Sequence, residues 1–196
     1  MQLEYNFCGR KEVAILEYTL KTKRLVLRQF TENDSLALNE ISNQDYILKW
    51  MPDWKASIEG TQKLIRHFIS QYPLSTKDKA RLMLAVTLNG TDEIIGMVGI
   101  GNKKEVDNEI EMAYFISEDH AGNGYITEAA KTVSQWAIEH LKLNYLIAIV
   151  ELDNYPSQKV IEKCGFEKIE TRLILNSGED EEKPFFYYRL YPTITI

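Results

Sequence analysis

Residues 108–141, "NEIEMAYFISEDHAGNGYITEAAKTVSQWAIEHL", change period halfway along, and that change narrows the folds open to the chain. Up to Ser117 the pattern alternates, with Ile110, Met112, Tyr114 and Ile116 on one face and Glu109, Glu111, Ala113 and Phe115 on the other. This is the period of a β-strand. From Ile126 the apolar residues recur at helical spacing through Ala129, Ala130, Val133, Trp136, Ala137 and Leu141, leaving Lys131, Gln135 and Glu139 on a wet face. Gly122 and Gly124 stand at the switch. They serve either a tight turn or an anion, because the first turn of a helix leaves N–H groups unpaired and carries partial positive charge. A dinucleotide fingerprint would need glycine at Thr127, and a P-loop would need Gly-Lys-Ser/Thr, so the junction is neither.

The rest of the chain builds a sheet around this unit. "RLVLRQF", Arg24 to Phe30, alternates and predicts a strand; "TENDSLALNEIS" predicts a short helix capped by Asn33 or Asp34. Pro52 breaks the pattern in "KWMPDWKAS", after which Ile58, Leu64, Ile65, Phe68 and Ile69 predict a longer helix capped by Ser57. "RLMLAVTL" and "EIIGMVGIG" predict two strands ahead of residues 109–116, joined by "NGTDE", where Gly90 suits positive φ, and by "KKEVDN". "NYLIAIV" is short, apolar and unbroken, the mark of a central buried strand. A second helix then has Asn154 as cap, Pro156 in its first turn and Gly165 at its end. "FEKIETRLIL" and "PFFYYRLY" predict two last antiparallel strands around the acidic, solvated turn "NSGEDEEK". The predicted order is β-α-α-β-β-β-α-β-α-β-β, an α/β (α+β) fold with a mixed, mostly antiparallel central sheet flanked by helices. Residues 1–21 read as an N-terminal arm or an extra strand, and 22–196 as one domain.

Composition limits the function. A formal charge of −6 opposes broad nucleic-acid binding and would draw a polyamine, an aminoglycoside or a basic peptide amine. No apolar run is long enough to span a bilayer, and "MQLEYNFCGRKEV" lacks the order of a signal peptide, so a cytoplasmic protein without membrane partners is expected. Cys8 and Cys164 have neither metal-ligand spacing nor a disulfide framework, so no metal is expected. His67 and His140 read as structural, His120 as the edge of the glycine loop, and Cys164 as packing.

"GNGYITEA", Gly122 to Ala129, resembles the acetyl-CoA loop of the GNAT superfamily of N-acyltransferases in its RimJ/RimL-like branch, residue for residue in the extended form Gly-x-Gly-Tyr-x-Thr-Glu-Ala. Three more segments are similar in family order: "TKRLVLRQFTENDSLAL", "EMAYFIS" with Ala113 in place of glycine, and "DNYPSQKVIEKCGFEK" with Cys164 where leucine is commoner. The resemblance runs from about Thr22 to Tyr191, and departs at Asp119, where the family pattern has Gln or Arg.

The resemblance implies a GNAT fold that moves an acetyl group from acetyl-CoA, a cosubstrate, to a primary amine by direct attack in a ternary complex. The acceptor it implies is a protein or peptide N-terminal amine. Backbone amides of Ala121, Gly122, Asn123, Gly124, Tyr125, Ile126 and Thr127 would hold the pyrophosphate. An amide near Phe115, Ile116 and Ser117 would face the acetyl oxygen. Glu111 matches the family's strand glutamate: an amine protonated at neutral pH must lose a proton before attack, and Glu111 would accept it or orient the ammonium. A solvated or ion-paired role is the alternative. Asn154 and Ser157 are either helix capping alone or groups at the thioester, with Ser157 as proton donor to the thiolate and Tyr155 as a poorer choice. Trp50, Trp54, Glu109 and Glu111 would line the acceptor pocket, although packing explains the tryptophans equally well. A small-molecule N-acetyltransferase and a non-catalytic CoA-binding module stay open, as does the choice between monomer and homodimer.

Overall fold

The computed structural model describes residues 18–74, 76, 80–176 and 180–193. Eight strands form one sheet in the order β1-β2-β3-β4-β5-β6-β8-β7. They are β1 (Thr19–Lys21), β2 (Leu25–Gln29), β3 (Arg81–Leu88), β4 (Ile94–Lys103), β5 (Glu109–Ile116), β6 (Leu146–Glu151), β7 (Glu167–Ile174) and β8 (Lys183–Leu190). The helices are α1 (Ser35–Ser42), α2 (Asp45–Leu48), α3 (Ile58–Gln71), α4 (Tyr125–His140) and α5 (Tyr155–Lys163). The architecture is the predicted mixed sheet with helices on both faces. It adds to the predicted order β1, which pairs with β2 through Thr19–Lys21, and α2, a single turn. The rest of the N-terminal arm, residues 1–17, and part of the acidic turn, residues 177–179, lie outside the described residues. No helix among the described residues is long and apolar enough to cross a membrane.

Local chemistry sets most boundaries. Ser57 caps α3 by accepting the Gly60 N–H at 3.2 Å, and Gly90 and Gly165 take φ of 87° and 93° in the turns where sequence required it. Asp34, one of the two expected caps, is the N-cap residue of α1, but its side chain makes no cap bond to the helix, and a 3-10 turn, Glu32–Asp34, entered from Thr31, precedes it. The Asp34 carboxylate reaches back to the Thr31 N–H (2.6 Å) and takes a bidentate bond from Arg28. Its charge is thus spent on closing the turn onto β2.

The alternation in β5 sorts the core. Met112 and Ile116 join Leu27, Leu82, Val98, Ala129, Val133 and Tyr188 in one continuous cluster beneath α4 and α5. The opposite face carries two separate clusters. Phe115 packs with Phe30, Leu38, Ile65, Ala85 and Met97 under α1–α3. Ile147, Ile174, Phe185 and Tyr187 form the other over β6–β8. By strand register, Glu111 and Ala113 stand on that face between the two.

β5 and β6 are the sheet's parallel pair, and they meet at one register position, Glu111 with Ile147. β5 keeps eight partners on β4, and β6 keeps six on β8, so each half of the sheet is intact while the seam between them opens. Past Glu111 the strands diverge toward their carboxyl ends, where α4 and α5 begin.

Candidate active site

The chain leaves β5 through Ser117, buried, whose N–H still bonds Ile95 O on β4 at 2.8 Å. N–H groups alternate sides along a strand, so that bond sends the Phe115 amide toward β4 and the Ile116 and Tyr114 amides toward the open seam. Of the three positions expected near an acetyl oxygen, the Ile116 amide therefore fits, and those of Phe115 and Ser117 turn toward β4. The Phe115 ring instead packs edge-on against Trp54 at 5.0 Å.

A 3-10 turn, Glu118–His120, follows, pinned by Gln44 Oε1 on the Glu118 N–H and by the Ser117 hydroxyl against His120 Nδ1 at 2.8 Å. Ala121 is extended, and Gly122 and Gly124 take φ of 77° and 75°. A side chain at either would be strained whatever the space. The space is open as well: a Cβ on Gly122 would meet nothing within 4 Å. Gly124 is the N-cap of α4 and offers no side-chain cap, so the N–H groups of Tyr125, Ile126 and Thr127 point out of the helix without one. Open glycines beneath an uncapped helix start fit a diphosphate held by backbone amides. The Ile126 side chain meanwhile sits in the core, anchoring the turn.

Glu111 is half-buried at the base of the seam. Desolvation pushes its carboxyl up to about 7; Lys103 pulls the other way, and Glu105 and Glu151 add to the rise. Its register partner on β4 is Gly101, which lines a cavity of about 190 Å³ with His67, Phe68, Arg81, Met83 and Asn102. Sequence reasoning missed this cavity, because its walls come from α3, β3 and β4 and share no local motif.

Glu109, two residues earlier, is placed differently. Its carboxylate takes bonds from Tyr145 (2.6 Å) and Tyr187 (2.8 and 3.0 Å), with Arg189 at 3.4 Å and Arg172 at 3.6 Å. Those guanidiniums also lie over the Tyr145 and Tyr187 rings. A carboxylate so fully occupied holds β6, β7 and β8 together, and the expectation that it lines the acceptor pocket gives way to a structural role.

Asn154 is buried, and its side chain is committed: Oδ1 accepts the Ser157 N–H at 3.2 Å, capping α5, and Nδ2 faces Glu151 Oε2 at 3.4 Å. The Ser157 hydroxyl lies 2.7 Å from the Tyr114 hydroxyl, a bond that crosses the open seam from β5 to α5. Burial raises the Tyr114 phenol, so it stays protonated and able to donate. Tyr155 is 64% exposed. Trp54 reaches the site through Phe115, whereas the Trp50 ring is covered by its neighbour Lys49 at 4.5 Å. Cys164 is buried with its thiol pushed up to about 12 by desolvation, the reverse of a nucleophile's environment. Among the described residues no group of His, Cys, Asp and Glu could hold a metal ion.

Comparison with known proteins accounts for this arrangement. The model of the acetyltransferase (GNAT) domain matches residues 24–167. The N-acetyltransferase YoaA of Bacillus subtilis is 28% identical over 150 residues, spanning 76% of this chain and 82% of its own. Among solved structures, a GNAT-family acetyltransferase from Bacillus anthracis superposes with a TM-score of 0.75 at 22% identity, covering 89% of this chain and 98% of that one. RimL, the ribosomal L7/L12 α-N-protein acetyltransferase, in complex with coenzyme A, superposes at 0.74 and 15% identity over 89% and 98%. The parted parallel strands, the uncapped helix after Gly-x-Gly and the family match along most of the chain agree: this chain belongs to the GNAT family and is an N-acetyltransferase that uses acetyl-CoA.

Proposed function

We propose that the protein acetylates the N-terminal amine of a peptide or protein by direct attack within a ternary complex. The observation that carries this reading is the place of Glu111, a half-buried carboxylate at the point where β5 and β6 part, which desolvation pushes up to about 7. Bound acetyl-CoA supplies the activated carbonyl. The amides of Gly122 to Thr127 hold its diphosphate, the expected Ala121 amide being already bonded to Glu118 O at 3.1 Å, and the Ile116 amide faces the acetyl oxygen. Glu111 takes a proton from the incoming ammonium, whose nitrogen must present a lone pair before it attacks. Tyr114 orients the Ser157 hydroxyl, which donates to the departing thiolate. Asn154 contributes by fixing the first turn of α5 beneath Ser157.

The acceptor class follows from size. A cavity of about 190 Å³, lined by Gly101, the register partner of Glu111, takes one side chain. Sites that enclose a whole drug-sized molecule run to about 300–1,000 Å³. The terminal residue of a peptide would fill it, with the chain lying along the face between the two clusters. The similarity to RimL, which acts on a ribosomal-protein α-amine by its name, points the same way. The acidic surface would favour basic peptides, and a free, buried Cys164 suits a reducing cytoplasm.

The test is a mass-spectrometric screen of purified protein with acetyl-CoA against N-terminal peptides, polyamines, amino sugars and aminoglycosides. Peptide acetylation confined to the α-amine is the expected result. Turnover only on the small amines would overturn the acceptor assignment.

A further inference from the structure

The turn between β1 and β2 reaches across the molecule to the cofactor loop. Arg24 Nε pairs with Glu128 Oε2 at 2.7 Å, and Arg24 Nη1 donates to the Asn123 carbonyl at 2.9 Å. The guanidinium lies over the Tyr125 ring, 4.5 Å from its centroid. Its Nη2 is 3.6 Å from where a Cβ on Gly124 would stand. Glu128 is occupied from the same turn by the Thr22 hydroxyl at 2.5 Å and the Arg24 N–H at 3.1 Å. One arginine thus touches Asn123, Gly124, Tyr125 and Glu128, the middle of the loop and the first turn of α4.

We propose that Arg24, anchored by Glu128, is the positioning residue that holds the 122–124 loop in its anion-accepting shape; this rests on the reading of that loop as the acetyl-CoA seat. The loop has little to hold it otherwise. Two glycines with positive φ gain no steric preference for one shape, and α4 has no side-chain cap to fix its entry. The bonds from Asn123 Nδ2 to His120 O and Ala121 O, at 3.3 and 3.2 Å, stay inside the loop. Arg24 ties it to the sheet. It also turns the Glu128 carboxylate aside and balances its charge, which would otherwise stand in the first turn of α4 and repel a diphosphate.

A planar fork does this and a point charge does not. Lysine at position 24 could meet Glu128 or the Asn123 carbonyl, but not both while stacking on Tyr125. Charge and position can therefore be separated.

The experiment is calorimetric titration of the intact protein with coenzyme A, together with the acetyl-CoA KM and kcat, for Arg24→Ala, Arg24→Lys and Glu128→Gln. Gly124→Val is the control for the loop itself, and melting without coenzyme A reports folding. Arg24→Ala should weaken coenzyme A by about tenfold or more, the loss of one charge-assisted anchor. Arg24→Lys should stay within about threefold of Arg24→Ala, with kcat at saturating acetyl-CoA within about twofold of wild type and the acceptor KM unchanged. Wild-type affinity in Arg24→Lys would show that charge alone matters and overturn the proposal. So would unchanged affinity in Arg24→Ala while Gly124→Val no longer binds. Wild-type coenzyme A binding by Gly124→Val overturns the reading of the loop, and the Arg24 proposal with it.

Discussion

Two helices begin where β5 and β6 part, and they begin differently. α5 starts from Asn154, whose side chain accepts the Ser157 N–H and closes the first turn. α4 starts from Gly124, with positive φ and no side-chain cap, and its first amides look outward. A side-chain cap contributes about 1 kcal/mol by satisfying one of those groups, and a glycine start leaves them free for another partner. At α5 the satisfaction is internal, and the helix end is a rigid support for Ser157. At α4 the open end is the site. The difference shows that one crevice uses one helix start to bind and the other to hold.

The sharpest way to break that comparison is Gly124→Val. A β-branched residue at φ 75° is strained, and its side chain would press on the Arg24 guanidinium, whose Nη2 lies 3.6 Å from the Cβ position. Acetyl-CoA affinity should fall by about 100-fold or more, some 2.7 kcal/mol, with a much smaller fall in thermal stability. If the apo protein unfolded instead, α4 would have been holding rather than binding.

Glu111→Gln comes next and tests the crevice between the helices. At pH 8, kcat/KM should drop by about 10²-fold, within the usual range for losing a general base. For the wild type, kcat/KM should rise with pH and level off above about 7, the value to which burial pushes this carboxyl. In Glu111→Gln that limb should give way to one set by the acceptor's own α-amine, at about 7.7–8.0. Stability moves the other way. A carboxyl whose folded pKa is raised binds its proton more tightly when folded, so its contribution is present below the unfolded value of 4.5 and lost as pH rises through 7. Glu111→Gln should therefore raise Tm at pH 8 and leave it unchanged at pH 4. Tyr114→Phe should be milder, about tenfold in kcat with unchanged acetyl-CoA affinity, because it removes one hydrogen bond to the Ser157 hydroxyl.

These residues also divide what sequence could reveal from what it could not. Ser57, Gly90, Asn154, Pro156 and Gly165 act within a few residues of themselves, through a cap or a turn, and their roles were legible. The faces of β5 and α4 were legible for the same reason, since a period of 2 or 3.6 is local. Contacts that join distant segments were not. Arg24 meets Glu128 across 104 positions, Tyr187 meets Glu109 across 78, and Tyr114 meets Ser157 across 43. Glu109 and Glu111 share a strand face and a residue type, so alternation cannot separate the locked carboxylate from the open one; only the register of β6 and β8 does. Residues 1–21 stayed between arm and extra strand because the three residues of β1 carry no periodicity and owe their conformation to pairing with β2.

Asn154→Ala makes the closed helix start resemble the open one without touching the amide seat. Losing the cap should cost about 1 kcal/mol in chemical denaturation and leave the acetyl-CoA KM within about twofold. A collapse of kcat beyond the effect of Tyr114→Phe would mean that the Asn154 side chain leaves its cap to serve the thioester.

The smallest effect belongs to Asp119, the residue that departs from the family's loop pattern. It is exposed, and it lines a cavity with Asp34, Glu40, Asp92, Glu93 and His120 beside α1. A solvated charge there is screened within about 8–10 Å at physiological salt, so it opposes a diphosphate only weakly. Asp119→Ala should lower the acetyl-CoA KM by no more than about twofold, an effect that shrinks further as salt is added. The seat is made of backbone, and a side chain that does not bend that backbone has little to change. A large rise in KM would instead mean that the turn Glu118–His120, and not Gly124 and the start of α4, sets the shape of the loop.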